Sequence, residues 1–125
     1  IYAYETKDNW RDLADYMGNN VQCNDIILIN NIFCVEPFNY YFDTYASASV
    51  YGARNINESK LRIQGYQKIW LILANPSTNN LSIITEDEFT ELVTSEWHGD
   101  FEIMEKEYSK IRLISYSRIQ HADIS

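Results

Sequence analysis

Residues 96–102, Glu-Trp-His-Gly-Asp-Phe-Glu, set His98 among the carboxylates of Glu96, Asp100 and Glu102. Imidazole changes charge near neutral pH, and a neighbouring carboxylate orients the ring or completes a cation site. This is the minimal recipe for a general base or a metal centre. The spacing is short, however. H-x-D matches no zinc pattern, and the chain contains no G-x-S-x-G, P-loop, G-x-G-x-x-G or D-x-[DN]-x-[DN]-G segment. One reading is a small hydrolase or ligand-binding protein that uses His98 with Asp100 or Glu102. The other is a loop histidine in an acidic setting. No cofactor and no metal are expected.

The acids around His98 belong to a longer block. Residues 85–107 hold nine acids (Glu86, Asp87, Glu88, Glu91, Glu96, Asp100, Glu102, Glu105 and Glu107) and one base, Lys106. The whole chain has 18 acids and 10 bases, so the remainder holds nine of each and is neutral. All of the formal net charge of −8 sits in this stretch. Glu86, Asp87 and Glu88 suit the first turn of a helix, where carboxylates favour the macrodipole. The others either solvate a surface or face a basic partner. Packing like charges together costs self-repulsion, which a Lys/Arg-rich partner relieves, and the same field steers the encounter. The candidate partner-binding residues are Asp87, Glu91, Glu96, Trp97, Asp100, Glu102 and Glu105. Trp97 would be their aromatic anchor, unless it folds back onto its own core.

Composition limits the partner. A sequence pI near 4.6 disfavours nucleic acid and anionic membrane surfaces, which need a Lys/Arg footprint. No apolar run reaches the roughly 18–20 residues that span a bilayer. At 125 residues and 46% hydrophobic content, with four glycines and two prolines, residues 1–125 form one globular domain with a real core. Cys23 and Cys34 form no metal pattern; two reduced thiols in or near the core are expected, a single disulfide being the alternative. The sequence opens at Ile1 instead of Met, so its start is expected to lie outside it.

The elements that must position these groups read as follows. IYAYE (1–5) alternates like a short strand. Trp10, Leu13, Ala14 and Met17 recur at i, i+3, i+4, i+7 and mark a helix, with Thr6 to cap it and Gly18 to end it. IILINNIFCVEP (26–37) reads as strand, either unbroken or turned at Asn30-Asn31. FNYYFDTYASASVYG (38–52) reads as a further strand carrying Phe38, Tyr40, Tyr41, Phe42, Tyr45 and Tyr51, with Phe38, Tyr40 and Phe42 on one side. NINESK (55–60) reads as loop. YQKIWLILA (66–74) and LSIIT (81–85) form a hairpin across NPSTNN. Thr85 and Glu88 fit a capping box that starts a helix buried on Phe89, Leu92 and Val93, with Asp87 and Glu91 opposite. Met104, Tyr108 and Ile111 suggest a second helix over 100–109, and KIRLISYSRI (110–119) is the last strand. The fold class is α+β: a single domain with an antiparallel or mixed sheet and helices packed on one face.

In size, acidity and aromatic content the chain resembles the bacterial immunity proteins that neutralise nuclease toxins. That resemblance implies a cytoplasmic, non-catalytic inhibitor whose acids stand in for phosphates against a basic toxin domain. It carries no aligned motif. An accessory subunit of a larger assembly, contacting through the Tyr/Phe segment, is a third reading.

Overall fold

A computed structural model describes residues 2–31, 34–42, 48–53, 55–74, 84–108 and 111–119, with side chains from Asn9 onward. In chain order the elements are α1 (Tyr2–Asn20), β1 (Ile26–Ile29), α2 (Val35–Tyr41), β2 (Ser49–Gly52), α3 (Ile56–Ile63), β3 (Lys68–Ala74), α4 (Glu86–Glu96), β4 (Phe101–Tyr108) and β5 (Ile111–Arg118). The five strands form one mixed sheet in the order β2-β1-β3-β5-β4. β1 is parallel to both its neighbours, while β5 is antiparallel to β3 and β4. The protein is α+β.

The helices do not share one face, as the sequence led us to expect. Trp10, Leu13, Ala14, Met17 and Phe38, from α1 and α2, pack on Ile27, Ile29, Trp70 and Ile72. Ile63, Phe89, Leu92 and Val93, from α3 and α4, pack on Ile26, Leu28, Ile69 and Leu71 on the other side. The connectivity explains this. β1 lies between β2 and β3, so the crossovers through α2 and α3 run in opposite directions across the sheet. Right-handed crossovers then deliver their helices to opposite faces. Every residue of β1 is buried, as is every residue of β3 after Lys68. Such continuous apolar runs are the mark of strands covered twice.

Several local expectations fall for identifiable reasons. Tyr2–Glu5 belongs to α1, and Gly18 lies inside that helix and does not end it. The stretch 26–37 divides into β1 and the start of α2, with Asn30 and Asn31 buried between them. Within 38–52 the aromatics are helical before they are extended: Phe38 and Phe42 stack at 4.8 Å, as i,i+4 neighbours do, while Tyr40 is 81% exposed. Tyr45 lies outside the described residues. NINESK is helix α3, because the Asn55 side chain accepts the Glu58 N–H at 2.8 Å and so caps it. The antiparallel partner of β3 is β5. The other arm of the expected hairpin, through Ile83, lies outside the described residues.

Two buried polar residues bracket β1. Asp25, just before it, accepts the Trp70 indole N–H at 2.9 Å and the Gln22 amide at 3.0 Å. Asn30, just after it, accepts the Ala74 amide at 3.0 Å and donates to the Ile84 carbonyl at 3.3 Å. Cys23 is exposed and Cys34 half-buried, both as free thiols, and burial pushes Cys34 up to about 11. Asp25→Ala strands the indole N–H of Trp70 inside the core. Urea denaturation should show a loss of about 1–3 kcal/mol, the cost of one buried donor left unpaired. A loss under about 0.5 kcal/mol, the range of a neutral surface change, would mean that water replaces the carboxylate.

Candidate functional site

The acid block folds into three structures: helix α4, a turn, and strand β4. The capping box is present. The Glu88 amide donates to the Thr85 hydroxyl at 3.2 Å, and the Thr85 amide donates to the Glu88 carboxylate at 3.0 Å. Phe89, Leu92 and Val93 are buried, so Asp87 and Glu91 turn to solvent. Trp97 ends the helix, its amide donating to the Val93 carbonyl at 2.8 Å. Gly99 follows with φ at 148°, a value that favours glycine, and lets the chain reverse into β4.

Residues 101–108 form a strand where the sequence suggested a helix. The three apolar positions Met104, Tyr108 and Ile111 mimic a helical stripe, but eight register pairs with β5 decide the matter. β4 is an edge strand over open solvent, so both its sides are polar and no clean alternation marks it. A period of two then parts the acids. Phe101 packs in the α3/α4 layer and Tyr108 against the α1/α2 layer. Ile103, Glu105 and Glu107 therefore lie on the α4 side, and Glu102, Met104 and Lys106 on the α1 side.

The candidate partner-binding residues thus do not form one set. Asp87, Glu91 and Glu105 share the α4 side of the sheet, and Glu102 is on the opposite face. Glu96 is turned toward α3, 3.6 Å from the Lys60 ammonium and accepting from Gln64 at 3.2 Å. Trp97 follows the second of its two readings and folds back onto its own core instead of anchoring a partner: its ring is buried, donates toward the Ile63 carbonyl at 3.4 Å, and meets Phe101 edge-on. The Arg118 guanidinium covers it at 4.6 Å, so no aromatic face is left for a partner. Asp100 is exposed at the turn.

Not all nine acids are spare. Arg112 bridges Glu86 on α4 at 2.5 Å and Glu105 on β4 at 2.6 Å, and Glu88 serves the cap. Hydrogen bonds to Glu105 and then to Glu86 drive the Arg112 guanidinium further above its ordinary range. Asp87, Glu91, Glu102 and Glu107 are exposed and pair with no base among the described residues. Sequence reasoning missed Ile103 and Met104, which stand 49% and 55% exposed between these charges. Their signal was two adjacent apolar residues in a charged run.

His98 is exposed on the rim of a shallow cavity of about 190 Å³ that Trp97, Asp100 and Arg118 also line. Of the carboxylates expected beside it, only Asp100 reaches this cavity; Glu96 is held by α3, and Glu102 projects to the α1 face. Among the described residues no group of three or more His, Cys, Asp or Glu is placed to hold a metal ion, and no helix is long and apolar enough to cross a membrane. No protein-family model, curated protein or solved structure matches this chain.

Two outcomes follow from the charges around β4 and β5. Arg112→Gln leaves Glu86 and Glu105 facing one another. It should cost about 1 kcal/mol at low ionic strength, and much of that loss should vanish in about 1 M salt, where the Debye length is a few ångströms. Denaturant melts at both salt concentrations read the difference. Burial, then Tyr16 and Asp12, raises Tyr108 from 10.0 to about 12. Above pH 10 the unfolded chain ionises this phenol while the folded protein keeps its proton, so the stability it contributes is whole below pH 10 and is lost toward pH 12, in addition to the loss that the raised Cys34 thiol brings from pH 9 upward. Tyr108→Phe should make the decline above pH 10 shallower than in the wild type, in melts taken across the same range.

Proposed function

We propose that this protein is a non-catalytic inhibitor of the immunity type, which binds a basic toxin domain through the acidic face built from α4 and β4. Such a complex would form in the cytoplasm, where a nuclease finds its substrate. The observation that carries the reading is the segregation of charge: nine acids against one base within residues 85–107, in a chain otherwise neutral. Internal pairing uses some of these acids. Asp87, Glu91 and Glu107 are left exposed on one side of the sheet, with Glu105 between them and Arg112.

The physics favours a partner over plain solvation. Surface carboxylates gathered without bases repel one another, and a cationic cleft that accepts phosphates relieves that repulsion. Long-range attraction would speed association by about one to three decades at low salt and fade as salt screens it. The reading gives Trp97 no contact with the partner. Its place as an apolar contact falls to the exposed Ile103, on the same side of the sheet as Asp87, Glu91 and Glu107.

The test is a capture from the native host's lysate, with wild type and the triple variant Asp87→Lys/Glu91→Lys/Glu107→Lys as parallel baits. Wild type should retain a basic protein that moderate salt releases, and the variant should lose it by at least about tenfold, or 1.4 kcal/mol. Equal recovery on both baits would remove the proposal. Glu96 is left unchanged, because its contacts with Lys60 and Gln64 make it part of the fold.

A further inference from the structure

β4 closes one side of the sheet, and among the described residues no strand pairs with its outer edge. The hydrogen-bond phase tells which peptide groups are open there. The Ile119 amide donates to the Asp100 carbonyl at 3.0 Å, and the register continues Phe101 opposite Arg118. In an antiparallel pair such bonded positions alternate, so residues 102, 104, 106 and 108 spend their peptide groups on β5. The N–H and C=O groups of Phe101, Ile103, Glu105 and Glu107 point outward.

Natural edges of this kind are usually guarded by lysine, proline or a bulge. Here the guard is drawn aside. The Lys106 ammonium lies 5.0 Å from the Tyr16 ring and 5.8 Å from the Tyr108 ring, held back toward α1. The charges flanking the open peptide groups are Glu102, Glu105 and Glu107, with Ile103 and Met104 exposed among them. A second copy would bring two such acidic edges together within chains of net charge −8, and like charges on paired strands repel. A cationic strand meets no such opposition.

We propose that the outer edge of β4 is a docking site for an extended, Lys/Arg-bearing segment of a partner protein, which adds to the sheet as a further strand. This rests on the reading that the acidic face binds a basic protein, and it names the part of that protein engaged. Main-chain hydrogen bonds to Phe101, Ile103, Glu105 and Glu107 would supply the affinity. Alternate side chains supply the selection: cations beside Glu102 on one face and beside Glu107 on the other, with apolar groups over Ile103 and Met104.

The probe is a blocked peptide alternating lysine with threonine, of the same length as β4. Its control carries the same charge but is N-methylated at every second amide, so it cannot complete a ladder. Amide exchange of the labelled protein is followed by NMR. With peptide at about ten times its Kd, exchange at Ile103, Glu105 and Glu107 should slow about tenfold, while the methylated control protects none of them. Ile103→Pro should abolish the protection at Glu105 without unfolding the protein, because the Ile103 N–H faces away from β5 and an edge strand accepts proline there.

Equal protection by both peptides, or peptide bound equally by Ile103→Pro with shifts confined to Asp87 and Glu91, would overturn strand addition while leaving the acidic-face reading intact. No binding of either peptide at low salt would remove both. A dimer in sedimentation that Ile103→Pro dissolves would give the edge to a second copy and overturn the proposal.

Discussion

The structure depends on β1 being covered on both faces. It is four residues long, fully buried, and parallel to β2 on one side and β3 on the other. Parallel neighbours have no hairpin to set their register, so something else must. Asp25 and Asn30 do it. One holds the Trp70 indole at the entry of the strand, and the other holds the Ala74 amide at its exit. A shift of one residue would bury both polar groups without partners. The register of β1 on β3 is thus enforced by the cost of unpaired polar atoms more than by hydrophobicity, which four consecutive aliphatic residues satisfy in either register.

The acidic corner follows from that anchor. Asn30 also holds the Ile84 carbonyl, which fixes where the chain enters α4 one residue before its Thr85 cap. Phe89 packs on Tyr116 of β5 with ring centroids 5.6 Å apart, and the Thr90 and Tyr116 hydroxyls meet at 2.9 Å. Arg112 then ties Glu86 of α4 to Glu105 of β4 across β5. The acids left over are those that the packing of α4 and the pleat of β4 turn outward. A function built on these charges uses what the fold does not need for itself.

Much of the local structure was legible in the sequence. The stripe of Trp10, Leu13, Ala14 and Met17 marked α1, the Thr85–Glu88 box marked the start of α4, and alternation marked β5, because each signal is local. The failures share a cause. α3 was hidden by a polar helix start, and the Phe38–Phe42 pair fits a helix as well as a strand. β4 has the composition of a solvent-exposed edge, where neither periodicity survives. Trp97 sat in an acidic loop by sequence, but the end of α4 aims it inward onto Ile63 and Phe101.

By itself the sequence determined that one domain would hold both helices and strands, where α1 ends, where α4 begins and where β5 runs to within a turn, and that the negative charge would gather in residues 85–107. Those are properties of neighbours along the chain. Only the tertiary structure decided that helices cover both faces of the sheet, which acids are consumed by Arg112, Lys60 and the cap, and which edge is open. They depend on residues distant in sequence, such as Asn30 with Ile84, Glu86 with Arg112 and Trp97 with Ile63. Pairing at that range is settled by the crossovers and by the requirement that every buried polar group find a partner.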